Sequence, residues 1–241
     1  MDFIARRIGR WLSQYLSKEN KKASIGTPTS LEALQSCLTP GDVILVEGYT
    51  KFSTAIKYLT QSTWSHTTLY VGTITVNGRT YHEQVIEADV AKGIIHTPLS
   101  DLKDYHTRIC RPVGLAPQEI QHLRDYAVSK LGGGYDLRNV LDLVRYLIPV
   151  LPFPARHRKK LLAFGSGVPT QAICSTLVAE VFAQVRYPIL PKLNHEHRYS
   201  QRNHTLFTPR DFDVSPYFKI IKPTVELGFD FRTFEWANTP A

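Results

Sequence analysis

The sequence predicts an α+β fold built around an antiparallel β-sheet. Segments with the composition of β-strands lie mainly in the first half of the 241 residues, and segments with helical periodicity follow them. Strands and helices that are segregated along a chain in this way are typical of the α+β class. The dipeptide Asn77-Gly78 separates two β-rich runs and is the strongest short signal for a β-hairpin, so these neighbouring strands should be antiparallel.

The individual elements follow from their own residues. The expected strands are GDVILVEG (41–48), the two arms of the hairpin within SHTTLYVGTITVNGRTYHEQVIEADV (65–90), GIIHTPL (93–99), TRICRPV (107–113) and YFKIIKP (217–223). The expected helices are Phe52–Thr60, a helix from Pro117 to about residue 131 that glycines end, YDLRNVLDLVRYLI (135–148) and the apolar segment that contains Cys174.

The composition excludes several classes of protein. Hydrophobic residues make up 43% of the chain and charged residues 21%, which is ordinary for a globular domain, and no apolar run approaches the roughly 20 residues of a membrane-spanning helix. Cys37, Cys110 and Cys174 are too widely spaced for a disulfide framework or a CxxC metal site, which favours a reducing compartment. The N-terminus lacks the pattern of a signal peptide. We therefore expect a cytoplasmic protein, with peripheral attachment to the inner face of the membrane if its N-terminus binds lipid.

The N-terminal segment has the pattern of an amphipathic helix with a basic polar face. Its apolar residues recur at helical spacing, with arginine, lysine, serine and glutamine between them. The apolar stripe either packs on the rest of the protein or lies in the interface of an anionic membrane, with residues 1–22 as the contact. The chain then divides into this helix at 1–24, a polar linker at 25–39, one domain at 40–225 and a tail at 226–241.

The charge of the chain is strongly positive. The formal net charge is +8, and the basic residues concentrate in residues 1–22 and in the run RHRKK at 156–160. Such patches favour anionic partners, although a solvated basic surface has the same composition. The basic residues form no recognised nucleic-acid-binding motif, so no nucleic-acid partner is expected.

Cys174 lies near the start of the apolar segment QAICSTLVAEVF (171–182), and two interpretations are open. It shares a helical face with apolar residues three, four, seven and eight positions further on, which fits an inert core thiol. A cysteine in the first turn of a helix also faces unpaired backbone N–H groups and the positive end of the helix dipole, which favour a reactive thiolate. Its own main-chain N–H would then help to stabilise an oxyanion.

A thiolate nucleophile needs an imidazole partner and a group that orients the imidazole. Of the nine histidines, His66 is the best placed, because it begins an extended run whose start should lie near loops at the edge of the sheet. Glu87, on the next strand of the hairpin, offers a carboxylate that would accept the Nδ1 proton and stabilise imidazolium. A lone histidine on a strand is also commonly structural, and sequence spacing leaves open whether the three side chains meet.

Six short motifs occur in a recognisable order across about residues 40–217: GDVILVEG, WSHTTLYVG, VIEADVAKGI, GGGYDLRNVL, ICSTLVAEVF and TPRDFDVSP. This order resembles the YiiX-like branch of the circularly permuted papain-like cysteine hydrolases, which are relatives of the NlpC-type cell-wall peptidases and of lecithin:retinol acyltransferase. The resemblance implies a circularly permuted papain-like fold, in which an antiparallel sheet or barrel packs against the helix that carries the cysteine. It also implies that the histidine strand precedes that helix in sequence.

The same resemblance implies roles for four residues. Cys174 becomes the nucleophile, His66 the general base and Glu87 the residue that orients the base, while Tyr135 lines the site and donates to the oxyanion. The implied chemistry is attack on an amide or ester carbonyl, followed by release of a thioester acyl-enzyme to water or another acceptor. The implied substrate is a lipid or a small peptide or amide, and no cofactor is expected. A catalytically silent module on the same fold, which binds a membrane or a partner, is the alternative.

A metal site is the weakest of the interpretations. The run NHEHR supplies His195 and His197, with His204 nearby. A His-x-His pair without a correctly spaced third ligand is a weak signal, and a surface loop explains it as well. We therefore expect no bound metal, and we expect Cys37 and Cys110 to be structural.

Overall fold

The computed structural model describes residues 27–89, 92–133, 173–193, 199–200 and 203–233. The N-terminal amphipathic segment, the helix expected at 135–148 and the basic run at 156–160 lie outside these residues.

The described strands confirm an α+β fold with an antiparallel sheet. Eight strands form: β1 (Val43–Glu47), β2 (His66–Val76), β3 (Arg79–Asp89), β4 (Gly93–Pro98), β5 (His106–Pro112), β6 (Lys192–Leu193), β7 (Tyr199–Ser200) and β8 (Phe218–Ile221). Six of them form one sheet in the order β4-β3-β2-β1-β5-β8, and every neighbouring pair is antiparallel. Over the described residues this sheet is open, with β4 and β8 at its edges, rather than closed into a barrel.

Six α-helices occur within the described ranges. They are α1 (Leu31–Cys37), α2 (Lys51–Thr60), α3 (Pro117–Ser129), α4 (Ile173–Gln184), α5 (Pro209–Asp213) and α6 (Pro223–Glu226). None of these helices is long and apolar enough to cross a membrane.

The predicted hairpin is present, and its turn has the expected backbone. Asn77 and Gly78 have φ angles of 50° and 76°, the positive values that a two-residue type I′ turn requires. The strands on either side, β2 and β3, pair from Val76 opposite Arg79 to Leu69 opposite Ile86. Near the turn, Ile74 is buried between the exposed residues Thr73 and Thr75, so a shift of one residue in the pairing would turn Ile74 to the exposed face.

The sheet is buried on both faces. On one face, Leu69, Ile86 and their neighbours pack against Leu177, Val178 and other apolar residues of α4. The helix that carries Cys174 therefore packs against the antiparallel sheet, as predicted. On the other face a second apolar cluster contains residues of α1, the sheet and the turn after β4. Helix α4 is thus fixed across β2 and β3.

Part of the segment expected to be a polar linker, 25–39, is instead the helix α1. Ser30 caps it by accepting a hydrogen bond from the N–H of Ala33, at 3.2 Å. Leu34 is fully buried against the second face of the sheet. The linker interpretation did not allow for the apolar residues Leu31, Leu34 and Leu38, which recur at helical spacing and pack against the second face of the sheet.

Candidate active site

Cys174 is the second residue of α4, and its side chain is buried at 5% exposure. This position has features of both interpretations made from the sequence, the core thiol and the cysteine in the first turn of a helix. The apolar residues that follow it in α4 belong to the core, while the cysteine itself lies in the first turn of the helix. The thiol therefore sits where the core meets the end of the sheet.

His66 is the first residue of β2, and its backbone pairs with Val46 of β1. Because the ring lies at the end of the strand, the first turn of α4 can reach it. The ring lies close enough to the Cys174 sulfur that each group shifts the pKa of the other, and the His66 side chain keeps 29% exposure. The pair is therefore in contact, with one side of the imidazole open to solvent.

Glu87 completes the group from the neighbouring strand. The antiparallel register that pairs Leu69 with Ile86 brings Glu87 diagonally opposite His66, on the same face of the sheet. The Glu87 Oε2 atom lies 2.5 Å from His66 Nε2. Its other oxygen, Oε1, accepts a hydrogen bond from Thr97 of β4, at 3.1 Å. Both carboxylate oxygens are thus held.

One detail differs from the sequence prediction. The carboxylate of Glu87 was expected at Nδ1 of the imidazole, but it bonds Nε2. Consequently Nδ1 is the ring nitrogen that remains for the Cys174 sulfur. The reason is geometric: His66 begins its strand and reaches sideways to β3, a direction that residue spacing does not define.

The electrostatics of the three groups favour a thiolate beside an imidazolium. Burial alone would raise the pKa of Cys174, but the charge and hydrogen bond of His66 lower it below its ordinary value. Burial alone would lower the pKa of His66, but Cys174 and Glu87 together raise it well above its ordinary value. The pKa of Glu87 is lowered as well, because the hydrogen bond and charge of His66 outweigh its burial.

Two further groups bond the sulfur, and the sequence analysis had missed both. The backbone N–H of Thr67 and the hydroxyl of Ser175 each stabilise the thiolate and help to lower the pKa of Cys174. The Thr67 and Ser175 hydroxyls lie 3.4 Å apart, between β2 and α4. Each residue is adjacent in sequence to a predicted member of the triad, and that adjacency was the only signal available.

The remaining predicted residues divide into two groups. Tyr135, His195 and His197 lie outside the described residues. His204 belongs to a short 3₁₀ turn at His204–Leu206. Within the described part of the chain, no group of three or more His, Cys, Asp and Glu side chains is placed to hold a metal ion. Burial raises the pKa of Cys110, which makes that thiol unreactive.

Comparison with known proteins adds one structural similarity. No family model matches the sequence, and no curated protein matches it significantly. The crystal structure of metalloprotein yiiX from Escherichia coli O157:H7 is similar to this chain, at 18% sequence identity and a TM-score of 0.47. The similarity covers 76% of this chain and 96% of that one. A similarity of this extent carries no conclusion about activity or bound ligands.

Proposed function

We propose that this protein is a cysteine hydrolase or acyltransferase that attacks an amide or ester carbonyl through a triad of Cys174, His66 and Glu87. One observation carries the proposal: His66 bonds the Glu87 carboxylate at the start of β2, and it lies close enough to Cys174 that each of the two groups shifts the pKa of the other. A nucleophile, a base and a group that orients the base are the minimum set for covalent acyl transfer.

The proposed reaction has two halves. The Cys174 thiolate attacks the carbonyl carbon, and the His66 imidazolium gives its proton to the leaving nitrogen or oxygen, so that a thioester forms and the amine or alcohol departs. Neutral His66 then takes a proton from water, whose oxygen attacks the thioester and releases the acid. If an alcohol or amine takes the place of water, the result is acyl transfer.

Stabilisation of the oxyanion is assigned to groups at the start of α4. The main-chain N–H of Cys174 lies in the first turn of the helix, where N–H groups lack partners within the helix and the dipole is positive. A donor at such a position acts on charge that develops in the transition state. We assign the second donor to Tyr135, on the sequence resemblance alone.

The proposal extends to the type of fold. We infer a circularly permuted papain-like arrangement, in which the histidine strand precedes the cysteine helix. The order of His66 and Cys174 in the chain supports this, as does the packing of α4 on an antiparallel sheet.

The proposed substrate is a lipid or a small peptide or amide. An anionic membrane surface is the proposed partner of residues 1–22, because a basic amphipathic helix combines apolar burial with attraction to anionic headgroups. A chain held at such a surface would meet acylated lipids at high local concentration.

The test of the triad is the rate of iodoacetamide alkylation at each cysteine as a function of pH, resolved by peptide mass spectrometry. We expect Cys174 of the wild type to alkylate with a midpoint well below the ordinary thiol pKa of about 8.5. The variant His66→Ala should lose this low midpoint, while Cys37 and Cys110 serve as internal controls. If Cys174 reacts no faster than these two, the triad is excluded and the catalytically silent binding module becomes the better explanation.

A second measurement tests the covalent step itself. Incubation with activated aryl esters and aryl amides should add an acyl mass to intact wild-type protein, and Cys174→Ser should not trap it as a thioester. Hydroxylamine sensitivity identifies the thioester. Turnover that persists unchanged in Cys174→Ser would contradict the assignment of the nucleophile.

A further inference from the structure

Trp64, which lies two residues before the proposed base, is held by a cluster of charged side chains that the triad does not use. The side chain of Trp64 is buried at 2% exposure. Its indole Nε1 donates a hydrogen bond to Asp213 Oδ2 at 3.0 Å, across 149 residues of sequence. The Arg108 guanidinium lies over the ring, 5.0 Å from its centroid, and the His106 ring lies 5.0 Å away. The one polar group of the indole, its N–H, therefore has a hydrogen-bond acceptor, and the ring has two polar neighbours.

Asp213 serves two donors at once. Its Oδ2 atom accepts from Trp64, and its Oδ1 atom forms an ion pair with Arg108 at 2.5 Å. The Asp213 side chain is only 20% exposed, so the carboxylate is largely removed from water. A buried carboxylate is costly unless its oxygens are satisfied, and here each oxygen has one strong partner. The carboxylate thus fixes Arg108 and Trp64 relative to each other.

The short helix that ends in Asp213 is itself anchored. Thr208 precedes α5, and its backbone N–H and hydroxyl both donate to Asp211, at 2.6 and 2.9 Å. Phe212 is fully buried in the core. The side chain of Arg210 donates to the carbonyl oxygen of Thr60, at 3.2 Å. The packing of Phe212 and the hydrogen bonds of its neighbours therefore fix the position of Asp213 at the end of α5.

The connection from Trp64 to the proposed base is short and rigid. Ser65 is the intervening residue, and its N–H donates to the carbonyl oxygen of Val46 at 3.1 Å. Its hydroxyl accepts a hydrogen bond from the N–H of Gly48 at 2.9 Å. Because Ser65 is the only residue between Trp64 and His66 and has little freedom to adjust, a change in the position of Trp64 should also change the position of His66.

The far side of the indole is fixed in the same manner. His106 Nδ1 lies 3.1 Å from Glu47 Oε2, and Glu47 is fully buried at the end of β1. The other oxygen of Glu47 pairs with Lys57 of α2, also at 3.1 Å. The Trp64 ring therefore has two polar neighbours, Arg108 and His106, and each is connected to a different helix.

From these contacts we propose that Asp213 is a positioning residue: acting through Trp64, it holds His66 in place against Cys174. This role rests on the proposed function, because it concerns the same base and nucleophile. It assigns a role to the second aspartate of the motif TPRDFDVSP, Asp213, which accepts hydrogen bonds from Trp64 and Arg108. The titratable groups that surround the indole are Glu47, Lys57, His106, Arg108 and Asp213, while Lys92 lies near Glu87 of the triad.

The chain contains a matched control on the same strand. Arg111 of β5 forms an ion pair with Asp42, with its Nε and Nη2 atoms 2.9 and 2.7 Å from the two carboxylate oxygens. Asp42 lies just before β1, at the end of the strand away from Val46 and His66. Loss of Asp42 should destabilise the protein without moving His66.

The sign of the expected change separates positioning from simple electrostatics. Removal of the negative charge of Asp213 would, through charge alone, favour the thiolate and lower the pKa of Cys174. Displacement of His66 would do the opposite, because the thiolate would lose its imidazolium partner. Because Asp213 does not bond His66, a rise in the alkylation midpoint would indicate that the imidazolium partner has been displaced, since the direct effect of the lost charge on the thiolate has the opposite sign.

The experiment compares Asp213→Ala, Asp213→Asn, Trp64→Phe and Asp42→Ala by the pH profile of Cys174 alkylation and by urea unfolding. We expect Asp213→Ala to raise the midpoint by about one pH unit and to slow alkylation at pH 6 about tenfold. Asp213→Asn keeps an acceptor for the indole and should show a smaller rise. Trp64→Phe keeps an aromatic side chain, although a smaller one, and loses the N–H that bonds Asp213; it supplies the result if Asp213→Ala does not fold. Asp42→Ala should lose stability and keep the wild-type midpoint.

The outcomes distinguish the two levels of the proposal. An ordinary midpoint in the wild type would overturn the triad, and this role of Asp213 with it. A low wild-type midpoint that Asp213→Ala and Trp64→Phe leave unchanged or lower would overturn only the role of Asp213. An equal rise in Asp42→Ala would also overturn it, since the effect would then be one of general stability.

Discussion

Glu87 Oε2 bonds the Nε2 nitrogen of His66 at 2.5 Å, and Glu87 Oε1 accepts a hydrogen bond from the Thr97 hydroxyl. This contact sets both the orientation of the imidazole and its charge. As a result, Nδ1 remains for the sulfur. The Glu87 carboxylate stabilises the positive ring and stays ionised itself, because the hydrogen bond and charge of His66 outweigh burial and lower the pKa of Glu87.

Replacement of Glu87 by glutamine should weaken the thiolate. The amide keeps the size of the side chain but removes the negative charge, so the pKa of His66 falls and that of Cys174 rises. We expect the alkylation midpoint of Cys174 to increase by about one pH unit. Glu83→Gln is the control, since Glu83 lies on the same strand and bonds Tyr70 instead of an imidazole. Equal profiles for Glu87→Gln and the wild type would remove Glu87 from the triad.

The lowered pKa of Glu87 also predicts a pH dependence of stability. A carboxyl group whose pKa is lower in the folded state stabilises the fold at pH values above its unfolded pKa, about 4.3, and this contribution is lost as the pH falls through the folded value. The difference in unfolding free energy between the wild type and Glu87→Gln should thus be largest near neutrality and shrink below about pH 4. Urea unfolding at a series of pH values measures it. A difference that stays constant from neutral to acidic pH would contradict the linkage.

Gly48 should tolerate no side chain, for reasons of space. A Cβ there would collide with the Ser53 hydroxyl and lie 2.9 Å from the Ser65 hydroxyl. Gly48→Ala is expected to cost about 1–3 kcal/mol of stability, as overpacking of a buried site does, and to slow alkylation of Cys174 by displacing Ser65. The double variant Gly48→Ala/Ser53→Ala relieves one contact and should recover part of the stability. If the double variant recovers no stability, the contact with the Ser53 hydroxyl is not the cause of the loss in Gly48→Ala.

Residues 1–22 should bind anionic bilayers. Co-sedimentation with vesicles that contain phosphatidylglycerol should pellet the full chain, while deletion of these residues should leave it in solution. Vesicles of phosphatidylcholine alone should bind weakly, because the basic residues add to the apolar contribution only at a negative surface. Equal pelleting of the deleted chain would show that another surface is responsible.

The register of the hairpin was accessible from the sequence, and it places Glu87 diagonally across from His66, but the contact between the two side chains was left open. A two-residue turn at Asn77-Gly78 fixes Val76 opposite Arg79, and counting back from there gives Leu69 opposite Ile86, as observed. The count succeeds although the ladder is irregular around Gly72, because the irregularities cancel before His66 is reached.

Other features depended on contacts that no local pattern encodes. The contact of Trp64 with Asp213 spans 149 residues, so only the folded chain brings the two together. Helix α1 is short, and the apolar face formed by Leu31, Leu34 and Leu38 was overlooked within a segment assigned as a linker, although its burial depends on the second face of the sheet. The choice of Nε2 over Nδ1 is likewise a property of side-chain direction, which spacing along a strand does not specify.

The division of the triad between a hairpin and a distant helix has a consequence for the order of folding. His66 and Glu87 are 21 residues apart and joined by a tight turn, so the loop that brings them together is short and closes at small entropic cost. The contact between Thr67 and Ser175, beside the nucleophile, closes a separation of 108 residues. A newly made chain should therefore assemble its acid–base pair early and keep an ordinary, unreactive thiol until α4 docks. Such a sequence of events would delay any acylation until the surrounding core is complete.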